Sequence, residues 1–223
     1  MGNVIGDLLP LAVGVAISPI PIIATILMLL APRAGSTSSG FLLGWTVGIV
    51  VAITVFTVIA SSAGLSTSDG PSETASWVKI VLGVALLPLA GRQWRARPRS
   101  DAAVQLPKWM TAIDTITFGK AVGLGFALAA VNPKNLLMCV AAGATIGAGD
   151  LTVGESVVSV AVFTVIAACT VAVPVVAYAL AKERMERPLG ELKSWLEANN
   201  ATVMSVMLLV IGVALIGKGI GGL

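Results

Sequence analysis

The chain has 223 residues, of which 57% are hydrophobic and only 11% charged, where an ordinary soluble domain is about 25% charged. That composition excludes a soluble core and points to an all-α membrane protein, because its uncharged windows of about 20 residues cross the ~30 Å hydrocarbon layer as helix. The net charge of +3 is no nucleic-acid signal, since the basic residues sit in loops beside apolar runs, and the lack of histidine excludes a histidine relay or metal site.

Six transmembrane helices are expected. Met1 to Asp7 lacks a basic region and carries Gly6 where a myristoylation motif wants Ser or Thr, so neither a signal peptide nor lipidation is expected. The first span runs from about Val4 to Leu30 and is interrupted by Ser18-Pro19-Ile20-Pro21. The second runs from about Phe41 to Ser61; its Gly44 and Gly48 form a small-xxx-small pair that suits close packing within one chain or a homodimer. A loop with Asp69, Glu73 and no basic residue leads to the third span, about Trp77 to Trp94. After span three come the basic residues Arg92, Arg95, Arg97, Arg99 and Lys108, in a connection that also bears Pro98 and Pro107.

The fourth span, about Lys120 to Ile146, is interrupted by Asn132-Pro133-Lys134-Asn135 and holds a second glycine pair, Gly143 and Gly147. Asp150 and Glu155 mark an acidic loop before the fifth span, about Ser156 to Ala181, in which Pro174 is expected to kink the helix. Lys182 to Asn200 mixes both charge signs with Trp195 and Leu196, as an amphipathic surface helix or an extension of span five would. The sixth span, about Val203 to Leu223, carries Gly217 and Gly221. Cys139 and Cys169 lie in apolar runs at a spacing that fits no redox or zinc pattern.

Basic loops stay in the cytoplasm. Every loop here then agrees on one orientation, with both termini outside. Residues 1–94 form a first three-helix repeat, 95–119 a cytoplasmic basic linker and 120–223 a second repeat. An odd number of spans per half makes the two repeats inverted. Ser18 lies about 14 residues into its span and Asn132 about 12 into its own, so at 1.5 Å per residue both breaks fall a little past the midplane. Two such breaks would face each other across a pseudo-two-fold axis in the membrane plane. Two unrelated proline kinks are the simpler alternative.

Lys134 is the costliest residue in the chain. A lysine near the bilayer centre costs about 2.5–3.5 kcal/mol on insertion scales, and no Asp or Glu lies deep in any span to neutralise it. It needs a wet cavity, backbone carbonyls or an anionic group such as a carboxylate, phosphate or sulfate. Half-helices that start after Pro19, Pro21 and Pro133 would bring N–H groups and positive dipole ends to the same place. The competing reading is a lysine that snorkels and serves structure only. Asn132, Asn135 and Ser18 offer hydrogen bonds either to a substrate or to the broken backbone. The candidate substrate-binding set is therefore Ser18, Pro19, Pro21, Asn132, Pro133, Lys134 and Asn135, with no catalytic, metal or cofactor set. The threonines inside spans are expected to bond their own helix carbonyls, with one or two on a pathway. Asp7, Asp69, Glu73, Asp150 and Glu155 read as solvated outer residues, and Lys79 and Lys218 as snorkelling at outer span ends.

A six-span chain with Ser18-Pro19-Ile20-Pro21 in span one and Asn132-Pro133-Lys134-Asn135-Leu136 in span four resembles the LysE-like transporter superfamily. Within it the chain is most similar to the GAP (Sap) family of glycopeptidolipid and sulfolipid addressing proteins. The likeness covers nearly the whole chain, and the Asn-Pro-Lys-Asn element is its more specific part. It implies a bacterial inner-membrane transporter with inverted repeats that moves anionic or glycosylated lipids toward the cell envelope. The sequence departs from thiol-relay branches, which carry cysteines beside these prolines, and from metal-exporting branches, for which mid-membrane carboxylates are expected. The readings carried forward are a transporter or flippase for an anionic lipid or other amphiphile, an exporter of small polar molecules such as amino acids, and an accessory subunit of a larger lipid exporter. An enzyme is not expected. No proton relay has a candidate residue, so equilibrating transport or coupling to a partner is expected.

Overall fold

The computed structural model describes residues 1–63, 66–67, 70–71, 73–97 and 116–223. Its elements are α1 (Gly2–Ala16), α2 (Pro19–Leu30), α3 (Ala34–Ser62), a short hairpin of β1 (Ser66–Thr67) and β2 (Gly70–Pro71), α4 (Glu73–Arg95), α5 (Phe118–Ala130), α6 (Pro133–Gly147) and α7 (Val153–Ile220). Three helices, α3, α4 and α7, are long and apolar enough to cross a membrane, and up to five spans result if each bent pair counts as one. This is a helical membrane protein. Asp69 and most of the basic linker, residues 98–115, lie outside the described residues.

Both expected interruptions are real bends. α1 and α2 meet at 51°, α5 and α6 at 62°. In each case a proline opens the second half-helix, Pro19 after the extended N-cap Ser18 and Pro133 after the extended N-cap Asn132. Proline is pre-set for a first helical position, where its missing N–H is not needed. By contrast Pro10, Pro88, Pro174 and Pro188 sit inside continuous helix. The α3 helix begins at Ala34 rather than near Phe41.

The 68 residues of α7 would extend about 100 Å as one straight helix. They do not run straight. Asp150, just ahead of α7, lines a cavity with Asp7 of α1, while Lys218 near the other end of α7 donates to the same Asp7 carboxylate at 2.7 Å. The chain therefore doubles back, and the one non-helical residue inside α7, Ala181 (φ −147°, ψ 54°), marks where. The Lys182–Asn200 stretch is helical and continues into the final arm rather than extending the arm before it. Its Leu189 and Leu196 pack with Ile22, Ile26 and Leu29 of α2.

Glycines set the closest approaches. Gly40 and Gly44 of α3 lie against Phe118 and Val122 of α5, and Gly143 and Gly147 of α6 against Phe56 and Ala60 of α3, so α3 runs parallel to the α5–α6 pair. With Gly48 against Phe126 and Ala129, the Gly44–Gly48 and Gly143–Gly147 pairs are used within the chain, whereas Gly217 of the third pair faces open space. Gly83 of α4 and Gly212 of α7 face each other: a Cβ on either would fall within 3.0 Å of the other's carbonyl oxygen. The main core, with Trp45, Phe41, Phe163, Leu86 and Met138 fully buried, lies where these helices converge. Val47, Val58, Val165, Val173 and Val213 point outward. Trp77 and Trp94, both exposed and about 26 Å apart along α4 at 1.5 Å per residue, bracket that apolar surface as membrane-interface aromatics do.

Candidate functional site

The two bends meet. A backbone broken inside apolar surroundings frees carbonyls that must find partners within the protein, and here they come from the other bend, from the same bend and from α7. Pro21 has no N–H to offer the carbonyl four residues back, Ile17 O; Lys134 Nζ from the other bend donates to that oxygen at 3.3 Å. The Leu128 carbonyl at the end of α5 receives Asn135 Nδ2 at 2.9 Å. Ala16 O takes the Thr170 hydroxyl of α7 at 2.6 Å. Ser18 joins the two sides: its Oγ accepts from Lys134 Nζ at 2.7 Å and donates to Asn135 Oδ1 at 3.1 Å.

Local sequence explains how Lys134 is aimed. Asn132 caps α6 by accepting the Lys134 backbone N–H at 3.1 Å, the usual role of an Asn N-cap. The cap holds the first turn, and from its second position the lysine side chain crosses to the α1–α2 bend. Lys134 is 3% exposed and Asn135 fully buried. No carboxylate pairs with Lys134 among the described residues. An ammonium has three N–H donors. Ile17 O and Ser18 Oγ take two; nearest the third is the Met204 thioether at 3.8 Å, a weak acceptor.

That face of Lys134 borders a cavity of about 340 Å³. Asn132, Pro133 and Lys134 line it together with Arg92 and Gln93 from the last turns of α4 and Met204 and Leu208 of α7. Of the seven candidates, Asn132, Pro133 and Lys134 border the cavity. Ser18, Pro19, Pro21 and Asn135 are buried at the bends behind it, and both ends of the Asn135 amide are taken by protein groups. Arg92 and Gln93 were not singled out in the sequence. Arg92 counted there as one of several topology charges, and only its position one face away from Lys134 across packed helices sets it apart.

At the end of the molecule that holds both termini, the charges are arranged differently. Asp7 pairs with Lys218 at 2.7 Å and lies 3.8 Å from Lys79. Asp7 is therefore no isolated solvated residue, and Lys79, only 8% exposed, has a counter-ion instead of snorkelling alone. Thr152 and Glu155 form a reciprocal capping box at the start of α7. The Thr152 N–H and then its hydroxyl donate to Glu155, which holds that carboxyl below the usual carboxylate range. Thr25 and Thr145 bond their own helix carbonyls as expected, whereas Thr170 reaches across to α1.

A family model described as Sap, sulfolipid-1-addressing protein, matches residues 8–221. Neither a curated protein nor a solved structure matches the chain. The family description ties the chain to lipid traffic rather than to catalysis.

Proposed function

Because the chain belongs to the Sap, sulfolipid-1-addressing protein, family, we propose that it is a transporter or flippase that moves an anionic amphiphile, a lipid or glycolipid, across the bacterial inner membrane toward the envelope. The headgroup binds at the paired bends, on Lys134. One observation carries this reading: a lysine buried between broken helices, without a carboxylate among the described residues, borders a cavity with one N–H facing only a thioether. A buried cation without a counter-ion is expensive, and an arriving oxyanion lowers that cost. Ser18, Pro19, Pro21, Pro133 and Asn135 hold the two bends in register, and Asn132 caps the half-helix that presents the lysine.

The same reading takes the chain as six crossings in two inverted repeats, with both termini outside. Its support is the doubling back of α7, the matched proline bends and the reciprocal Gly83–Gly212 contact. Ser76 and Ser205, each about two turns before those glycines, donate to a carbonyl near the end of the facing helix, Gly222 O and Ala90 O, both at 3.0 Å. Such reciprocity is what a two-fold axis between α4 and the final arm of α7 produces.

The test is reconstitution in phosphatidylcholine vesicles that carry fluorescent phosphatidylglycerol. The protein should let dithionite quench the inner-leaflet label, and Lys134→Met should return the rate to that of protein-free vesicles while gel filtration and circular dichroism stay native. Full activity in K134M overturns the reading. Amino-acid efflux without lipid flip would favour the small-molecule exporter. Flip that requires a co-purified partner, and is indifferent to K134M, would favour an accessory subunit.

A further inference from the structure

Charge balance differs sharply between the two ends of the molecule. Lys79 and Lys218 share the Asp7 carboxylate. Lys134 and Arg92 border one cavity; among the described residues no Asp or Glu lines it, and neither cation enters an ion pair. Arg92 is exposed on the last turns of α4, where it can reposition freely, while Lys134 is fixed by Ile17 O and Ser18 Oγ. The cavity thus pairs a fixed point charge with a mobile fork.

We infer that Lys134 and Arg92 together grip a phosphate or sulfate monoester headgroup, with Arg92 the residue that selects it. This rests on the transport reading above and names its substrate chemistry. Guanidinium presents two parallel N–H groups that match two oxygens of one anion, whereas ammonium acts as a point charge. A planar carboxylate is satisfied by the fork alone. A tetrahedral monoester has a third terminal oxygen, which falls to Lys134 in place of the Met204 sulfur. A zwitterionic headgroup brings a cation that finds no acid among the described lining residues.

Size limits what else enters. At ~30 Å³ per water-sized group, about 340 Å³ holds roughly eleven such groups. That suits a headgroup and its linkage, with an open side through which acyl chains leave. The apolar lining residues Ile20, Leu89 and Leu208 cover the first methylenes, and the tails stay outside in lipid while the headgroup is held.

Binding to the purified full-length protein in maltoside micelles tests this, with dioctanoyl phosphatidic acid, dioctanoyl phosphatidylcholine and inorganic phosphate as probes. Phosphatidic acid should bind at least about tenfold tighter than phosphatidylcholine and than inorganic phosphate. Arg92→Gln should weaken it about tenfold or more, as expected for a lost charge-assisted contact, and Arg92→Lys, which keeps the charge without the fork, by several-fold. If K134M abolishes binding but R92Q and R92K bind as wild type, this proposal is overturned while the transport reading stands. If phosphatidylcholine binds as tightly as phosphatidic acid, both fall. If inorganic phosphate matches the lipid, the ligand is a free anion and the headgroup assignment fails. Should R92Q not fold, R92K alone carries the test, and wild-type affinity there refutes the fork.

Discussion

Asn135→Leu keeps the branching and heavy-atom count of a side chain that no solvent touches and that supports both bends at once. Its amide nitrogen serves the Leu128 carbonyl at 2.9 Å and its oxygen takes the Ser18 hydroxyl at 3.1 Å. Interhelical hydrogen bonds in membrane proteins contribute about 0.6 kcal/mol on average and at most about 1.7, so two give about 1–3 kcal/mol. A buried carbonyl left without a partner adds about 1–3 kcal/mol of its own, but that overlaps with the lost bond, and the leucine methyls recover part of the loss by packing. The net expectation is a destabilisation of about 2 kcal/mol. Reversible unfolding in dodecyl sulfate–maltoside mixed micelles measures it. A loss below about 0.5 kcal/mol would mean that the bends do not depend on each other's polar groups, and the account of why they coincide would fail.

Other substitutions probe separate parts of the structure. Gly44→Val aims a side chain into the Val122 backbone, so α3 and α5 must part, and little folded protein should be recovered; Gly217→Ala, in open space on a helix, should be neutral or stabilise by up to about 1 kcal/mol, and equal thermal midpoints for the two would refute the packing. In double-mutant cycles, Asp7→Asn should couple to Lys218→Met more strongly than to Lys79→Met, following 2.7 Å against 3.8 Å, with neither exceeding about 1 kcal/mol because Asp7 is partly exposed. Glu155→Ala should lower the thermal midpoint at neutral pH: a carboxyl held below its usual range adds stability that is present above its unfolded value and lost as pH falls through its folded one. Wild type and E155A should therefore converge in acid, and a gap that persists there would assign the effect to packing.

How much was readable beforehand depended on whether the signal was local. Proline beside Ser or Asn within an apolar run is a local signal, and both bends fall where it put them. The partners of Lys134 were not readable, because Ile17 and Ser18 are more than a hundred residues away and nothing in either segment names the other. Arg92 was hidden among other basic residues at a span end, since topology alone explains such charges. Asp7 counted as a surface acid because its two lysines come from distant helices. The reversal in α7 falls at Ala181, a good helix former, between Pro174 and Pro188, both of which stay helical. A membrane helix tolerates proline when neighbouring groups satisfy the freed backbone, so the strongest local breaker predicts the wrong residue, and the change from apolar to charged composition at Lys182 is the better guide.

The bends differ in chemistry in a way that makes the halves inseparable. The first contributes acceptors: Ile17 O, Ala16 O and the Ser18 oxygen. The second contributes the Lys134 ammonium as donor to Ile17 O and Ser18, and its Asn135 oxygen accepts the Ser18 hydroxyl in return. A first half alone in lipid would hold carbonyls with no N–H to meet them, and a second half alone a lysine with no oxygen. Each alone carries the full desolvation cost of its polar groups; together they cancel most of it. Beside these contacts the cavity is bordered by Lys134, whose third contact is the Met204 sulfur, and by Arg92, which enters no ion pair among the described residues. On the proposed transport reading, an oxyanion that reaches this cavity would meet both cations without displacing the contacts that join the two bends.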